Sequence, residues 1–346
     1  MNVLIDNHHG ELTHSLELLF GKRLGFTVFY PIGEDWYEKD YWKVFPHPET
    51  AQQYLGFHRS DPAIHSRKEV MTVSGPEEPD KGLHYCWDPT KGVYQKAITF
   101  DHFLERRVDL LVSSLPAHIA PFQRLVKKYK PGAKHIFQMG NIFSDLSFSS
   151  VPNILNSTDR RVPFWVHSVK YSQEFELSIF KYSPPRISKL IVNFTHYMSE
   201  VDYFYRTRAL LPEFTFESYG AGNETGSVTR TADVAQKMQA ADFIWHLKKG
   251  GDGYGHVVHN AAALGRPLVI SKKQYRGMRF EKFIEDGKTC VNVDGLTAEA
   301  LAKKIRLYGE PDRLEKMGLT IYERFHNFVD FDRDEKNIRY FLKGLR

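Results

Sequence analysis

The sequence predicts an α/β protein made of two Rossmann-like domains. Three observations carry that expectation. Short apolar strands alternate with segments of helical period. The alternation halts at Tyr182-Ser183-Pro184-Pro185-Arg186, which reads as a hinge, and then starts afresh. At 346 residues the chain is also long for one typical domain. Strands joined through helices favour a parallel sheet with right-handed crossovers, and such sheets bind ligands beyond the carboxyl ends of their strands. The first domain is expected over residues 1–183 and the second over 184–346.

In the first domain, Val3 to Ile5 reads as a strand, Leu12 to Leu24 as an amphipathic helix stopped by Gly25, and Phe26 to Tyr30 as the next strand. The turn after the first strand carries His8-His9-Gly10, flanked by Asp6 and Glu11. A lone histidine is usually structural or exposed, but a pair at a strand end is a candidate for moving a proton. Residues 33–92 are rich in proline and charge and weak in periodicity, with short elements expected at Glu69 to Val73 and Leu83 to Trp87. Trp36, Tyr37, Trp42, His58, His65, His84 and Trp87 make this insertion either an acceptor-recognition surface or a cover over the first sheet. Alternation then resumes with a helix at Phe100 to Arg107 and a strand at Asp109 to Ser113. A basic helix at Pro121 to Lys130 and strands at His135 to Gln138 and Asn153 to Asn156 follow. Ser113, Ser114, His118, Gly140 and Asn141 therefore fall at strand carboxyl ends.

In the second domain, a strand at Lys189 to Asn193, a helix at Ser199 to Leu211 and a strand at Thr215 to Tyr219 lead to the glycine turn Gly220-Ala221-Gly222-Asn223. A helix at Thr231 to Ala240 follows. The next stretch, AADFIWHLKKGGDGYGHVVHNAAALGRPLVIS, organises the whole chain. Phe243 to Leu247 is a buried strand by composition, and Lys248-Lys249-Gly250-Gly251-Asp252-Gly253-Tyr254-Gly255 is a glycine-rich loop. His256 to Leu264 is a helix ended by Gly265, and Leu268 to Ile270 is a strand. A strand that feeds a glycine loop and then a helix N-terminus is a device for holding an anion. The glycines let backbone N–H groups approach, and the helix dipole favours negative charge there. With two lysines at the mouth, the expected guest is a phosphate or diphosphate.

The run GGDGYGHVVHNAAALGRPLVIS resembles the donor-binding segment of GT-B glycosyltransferases, in particular the large group with a Glu-Gly-x-Gly turn and a Glu-Ala pair on the following helix. The first acid falls on Asp252, and Asn260 stands where the second, ribose-gripping Glu is usual. An amide holds hydroxyls less strongly than a carboxylate. The β-α-β opening and LGFTV at the second strand echo the family more loosely. Ile284 to Thr289, Val291 to Val293, Leu296 to Tyr308, Glu310 to Leu314 and Tyr322 to Leu342 resemble its later turn, strand and closing helices. The last of these helices commonly crosses back onto the first domain. The resemblance implies two Rossmann-like domains facing a cleft. It implies metal-independent transfer of a sugar from a nucleotide-diphosphate donor to an acceptor hydroxyl, with no cofactor beyond that substrate. Gly220, Gly222, Lys248, Lys249, Gly251, Gly253, Tyr254, Gly255, His256 and Asn260 would bind the donor, with Lys272 in reach. Gly10, His118 and Asn141 would lie on the acceptor side, and His8, His9 and Asp252 would carry catalysis. Asp252 has a plainer reading as the N-cap of the following helix.

Charge and composition bound the alternatives. Lys and Arg exceed Asp and Glu by 47 to 42, which suits an acidic small molecule and permits nucleic acid without demanding it. Only Cys86 and Cys290 are present, so no disulfide framework or cysteine metal cluster is expected and a reducing cytoplasm is the default. MNVLIDNHHGE has no signal-peptide pattern, and no run of about 18 apolar residues occurs. No Gly-Lys-Ser/Thr follows the glycines, which disfavours a P-loop, and DNHHGE lacks the dinucleotide fingerprint. Asp330-Phe331-Asp332 is similar to an Asp-x-Asp metal signature, but its place near the end of the chain reads as surface charge, so no metal is expected. Two alternatives stay open. One is a phage-type enzyme that glycosylates hydroxymethylated bases in DNA through Arg124, Lys127, Lys128, Lys130 and Lys134, a run that is more simply a solvated helix face. The other is a non-catalytic nucleotide-sugar binding module.

Overall fold

In the computed structural model, Val3, Leu4 and Ile5 are fully buried on β1 (Asn2–Ile5), the middle of the first of two sheets. The structure describes residues 1–6, 10–31, 83–88, 93–141, 146–195, 198–220, 222–228, 230–248 and 252–346. The chain divides into two units, Met1–Phe175 with Phe331–Arg346, and Glu176–Asp330. The expected α/β architecture with two Rossmann-like parallel sheets is present.

The first sheet adds β2 (Thr27–Pro31), β3 (Leu83–Asp88), β4 (Val93–Ile98), β5 (Leu110–Ser113), β6 (Lys134–Met139), β7 (Asn153–Asn156) and β8 (His167–Lys170). Their order is β3-β4-β2-β1-β5-β6-β7-β8, parallel at each pairing apart from the antiparallel β3–β4. Side chains alternate across a strand, so the sheet sorts its apolar residues onto its two faces. Val3, Ile5, Val28, Leu110 and Val112 face one core, while Leu4, Phe29 and Leu111 face the other. Covering the sheet are α1 (Gly10–Glu17), which runs on as a π-helical turn over Leu18–Arg23, α2 (Phe100–Glu105) and α3 (Pro116–Tyr129).

The second sheet has the order β10-β9-β11-β12-β13, all parallel: β9 (Leu190–Asn193), β10 (Thr215–Ser218), β11 (Phe243–His246), β12 (Leu268–Ile270) and β13 (Cys290–Asn292). Its helices are α4 (Val201–Ala209), α5 (Thr231–Ala240), α6 (His256–Leu264), α7 (Ala298–Tyr308) and α8 (Pro311–Phe328). The final helix, α9 (Phe331–Lys343), belongs to the first unit, where Ile338 and Phe341 enter the core beside β1. Among the parallel strands of each sheet the order reverses at β1/β5 in the first and at β9/β11 in the second. Loops leaving such a switch point diverge and open a crevice.

The structure corrects several boundaries. α3 begins at Pro116, five residues before the expected Pro121, because Leu115 is extended and Pro116 occupies the first helical turn, where its missing N–H costs nothing. His118 is therefore helical. The Tyr322 to Leu342 tail, expected among the closing helices, spans the end of α8 and most of α9, parted where Val329 turns extended (φ −100°, ψ 117°). β4 and β8 were not anticipated, since the polar HSVK of β8 is an edge strand with little apolar signal. Of the 33–92 insertion, the expected strand at Glu69 to Val73 and the residues Trp36, Tyr37, Trp42, His58 and His65 lie outside the described residues. Among the described residues, no helix is long and apolar enough to cross a membrane.

Candidate functional site

At the β9/β11 switch point, three loops are tied together by side chains. Asn223, in the glycine turn after β10, donates to the carbonyls of Thr195 (3.1 Å) and Tyr219 (2.8 Å). Thr195, just past β9, lies with its hydroxyl 3.2 Å from Nδ1 of His246, the last residue of β11. His246 Nε2 is 2.9 Å from one oxygen of Asp252, and Lys248 Nζ is 2.7 Å from the other. The His246 ring stacks on Tyr275 (5.4 Å between centroids), whose hydroxyl accepts the Lys248 N–H at 3.3 Å. Burial alone would raise the Asp252 carboxyl. The His246 imidazole and the Lys248 ammonium outweigh it and hold that carboxyl well below the usual carboxylate range. Asp252 is thus a fixed anion within the loop. It does not cap α6.

The residue at the N-cap of α6 is Gly255, in the left-handed region (φ 80°, ψ 57°) with no side-chain cap. A Cβ there would sit 2.5 Å from the Phe280 ring, so both backbone angle and space require glycine. Gly265 closes the helix in the same conformation (φ 73°). Within α6, His259 is fully buried, donates from Nδ1 to the Gly255 carbonyl (2.9 Å) and stacks on Tyr254 at 3.9 Å. Asn260 is 7% exposed, and its side-chain oxygen is buried with no hydrogen-bond partner. A buried acceptor without a donor is costly and uncommon. Of the remaining donor-side expectations, Gly220 (φ 126°) and Gly222 (φ 78°) adopt angles only glycine takes readily. Gly253 and His256 flank Tyr254 and Gly255 at the start of α6, and Lys272 donates its backbone N–H to Asn292 (3.0 Å). Lys249 and Gly251 lie outside the described residues.

A second polar cluster sits at the β1/β5 switch point of the first unit. Asp6 is buried and accepts the Ser114 backbone N–H (2.7 Å), the Ser114 hydroxyl and His118 Nδ1 (2.5 Å). Behind it, Ser113 Oγ lies 2.8 Å from His135 Nε2. Gly10 opens α1, and Asn141 is exposed just beyond β6. His8 and His9 lie outside the described residues. His118, expected on the acceptor side, is held at the first turn of α3 by Asp6. The residues missed as site elements are His246, Thr195 and Tyr275. One signal was available for His246, a histidine closing the otherwise apolar run FIWH.

Among the described residues, no group of three His, Cys, Asp or Glu is close enough to hold a metal ion. In the Asp-x-Asp run, Asp332 is exposed and pairs with Arg23 at 2.7 Å. Lys130 of the expected basic run is turned onto the carbonyls of Leu104 (2.7 Å) and Arg106 (2.9 Å).

Burial pushes His135 down to about 4 and His259 down to about 3, against an ordinary value near 6.5. For both, the folded value lies below the unfolded one. Their stabilisation is therefore complete above about pH 6.5 and is lost as pH falls toward the folded values, where the unfolded chain binds protons that the folded chain refuses. Each histidine is expected to cost its unit about 2 kcal/mol between pH 7 and pH 5. Urea denaturation at the two pH values checks this, and His259→Phe should flatten the pH dependence of the second unit alone.

No protein-family model matches the sequence, and no curated protein matches it. By structure the chain is similar to Anabaena HepE in complex with UDP-glucose, with a TM-score of 0.62 at 11% identity over 99% of each chain. It is similar to a glycosyltransferase from Rickettsia africae (TM-score 0.59, 12% identity, 99% of this chain and 97% of that one). Sucrose-phosphate synthase from Thermosynechococcus elongatus is comparable (TM-score 0.58, 10% identity, 99% of this chain and 98% of that one).

Proposed function

We propose that this chain, which has the GT-B fold, is a glycosyltransferase that moves a sugar from a nucleotide-diphosphate donor to an acceptor hydroxyl. The observation that carries the reading is Asn260, a buried acceptor with no partner one turn into α6, the helix that a left-handed glycine starts. A ribose hydroxyl would supply the missing donor. The diphosphate would lie against the first turn of α6, where backbone N–H groups and the helix dipole favour negative charge. As the anomeric C–O bond breaks, the same turn and the lysines at its mouth would stabilise the charge that builds on the leaving diphosphate, without a metal.

Asp252 holds Lys248 and orients His246, and its remaining lone pairs would take donor hydroxyls. We place the acceptor on the first unit, near His118, Gly10 and Asn141. His8 and His9 would supply the base that an inverting reaction needs. HepE has been crystallised with UDP and with UDP-glucose, so uridine nucleotides are the first donors to try.

Thermal unfolding with UDP, GDP, ADP, dTDP and CDP, each with chelator present, tests the reading. A ligand at ~100 times its Kd adds about 2.7 kcal/mol. One nucleotide should shift the transition under these conditions, and a panel that shifts nothing removes the donor reading.

A further inference from the structure

The segment before β8 places two aromatic rings where turns usually carry small polar residues. The Val166 N–H donates to the Pro163 carbonyl at 3.0 Å, which closes a tight turn with Phe164 and Trp165 at its two central positions. Phe164 is 96% exposed and Trp165 57% exposed. Their rings meet edge to face at 5.3 Å and 81°, a wedge rather than a flat platform on which a sugar ring could stack.

The turn is fixed at its base. Arg346 donates from Nη1 to the Trp165 carbonyl (2.9 Å), and the Arg346 backbone is bonded both ways to the buried Asn153 side chain (3.0 and 3.1 Å). His167 stacks on Phe341 of α9 at 4.6 Å, joining the end of that helix to the same surface. Exposed basic residues lie just before the turn and on the tail that fixes it. Arg161 precedes it, and Lys343 ends α9; both are exposed and neither pairs with a carboxylate among the described residues. Asp159 is matched by Lys170 at 3.5 Å. Tyr340, 79% exposed, adds a third outward ring on α9.

We propose that the Phe164–Trp165 turn, with Arg161, Lys343 and Arg346 around it, is a wedge that docks the first unit onto an anionic lipid surface. Aromatic rings with polar or cationic neighbours favour the headgroup boundary, and basic residues beside them are drawn to anionic lipid. A second copy of the chain fits less well, because self-association through this patch would bring like charges together. This inference is independent of the donor site.

The test is co-sedimentation of the full chain with phosphatidylcholine vesicles, alone or containing roughly a quarter phosphatidylglycerol, at low and raised salt. The chain should pellet with the anionic vesicles, stay in solution with phosphatidylcholine, and be released by salt. Phe164→Ser with Trp165→Ser should lower the bound fraction at least about tenfold, as should Arg161→Glu with Lys343→Glu, with the thermal midpoint unchanged because these side chains face solvent. Wild type left in solution with anionic vesicles at low salt overturns the proposal. So does an aromatic double variant that binds like wild type, or sedimentation equilibrium showing a dimer held by the wedge with no vesicle binding.

Discussion

Asp6→Ala should destabilise the first unit by about 3–5 kcal/mol, the range for removing one partner of a buried charged network. The Asp6 carboxylate accepts from the Ser114 N–H, the Ser114 hydroxyl and His118 Nδ1, all in a buried site at the end of β1. Truncation leaves the serine donors without their acceptor where water has little access, at about 1–3 kcal/mol for each group. Asp6→Asn should recover much of the loss, because its amide oxygen can still accept from the Ser114 N–H and His118 Nδ1 while its amide nitrogen donates to the Ser114 hydroxyl, which rotates to accept. The urea midpoint should fall with the slope unchanged. A loss under about 1 kcal/mol would mean that Asp6 does not hold this corner of the sheet together.

Legibility in the sequence followed the physics of each element. Central strands such as FIWH and LLVS announce themselves because both faces are buried, which leaves little room for polar residues. The edge strand β8 does not, since HSVK has one neighbour and alternates toward solvent. Gly265 was readable as a helix stop because the left-handed angle suits glycine alone. α3 was misread at its start because two prolines compete for that role, and Pro116 takes it while Pro121 sits inside the helix. Of the site, the glycine loop and Asn260 could be named from local order along one strand, turn and helix. The Asp6–His118 contact could not, because it spans 112 residues and exists only once β1 and β5 pair. His246–Asp252 is short in sequence, yet no local spacing rule pairs a strand-end histidine with a carboxylate six residues on.

Gly255→Val should abolish nucleotide binding and destabilise the second unit. A β-branched residue in the left-handed region costs roughly 1–2 kcal/mol. The added Cβ lies 2.5 Å from the Phe280 ring, which is fully buried and packed on Tyr275 at 5.2 Å, so the core must shift at a further cost of about 1–3 kcal/mol. The same shift moves the first-turn N–H groups of α6 on which the proposed diphosphate site rests. Asn260→Leu separates site from scaffold. It replaces the unpartnered buried acceptor with an apolar group of similar size, so it should weaken nucleotide binding while leaving stability near or above wild type.

The most direct measurement is a calorimetric titration of UDP, with chelator present, into wild type, Asn260→Leu and Gly255→Val. The account predicts one site in wild type, at least about tenfold weaker binding in Asn260→Leu, and none in Gly255→Val. Equal affinity in wild type and Asn260→Leu, or UDP binding that survives Gly255→Val unchanged, would contradict the placement of the donor site at the β9/β11 switch point.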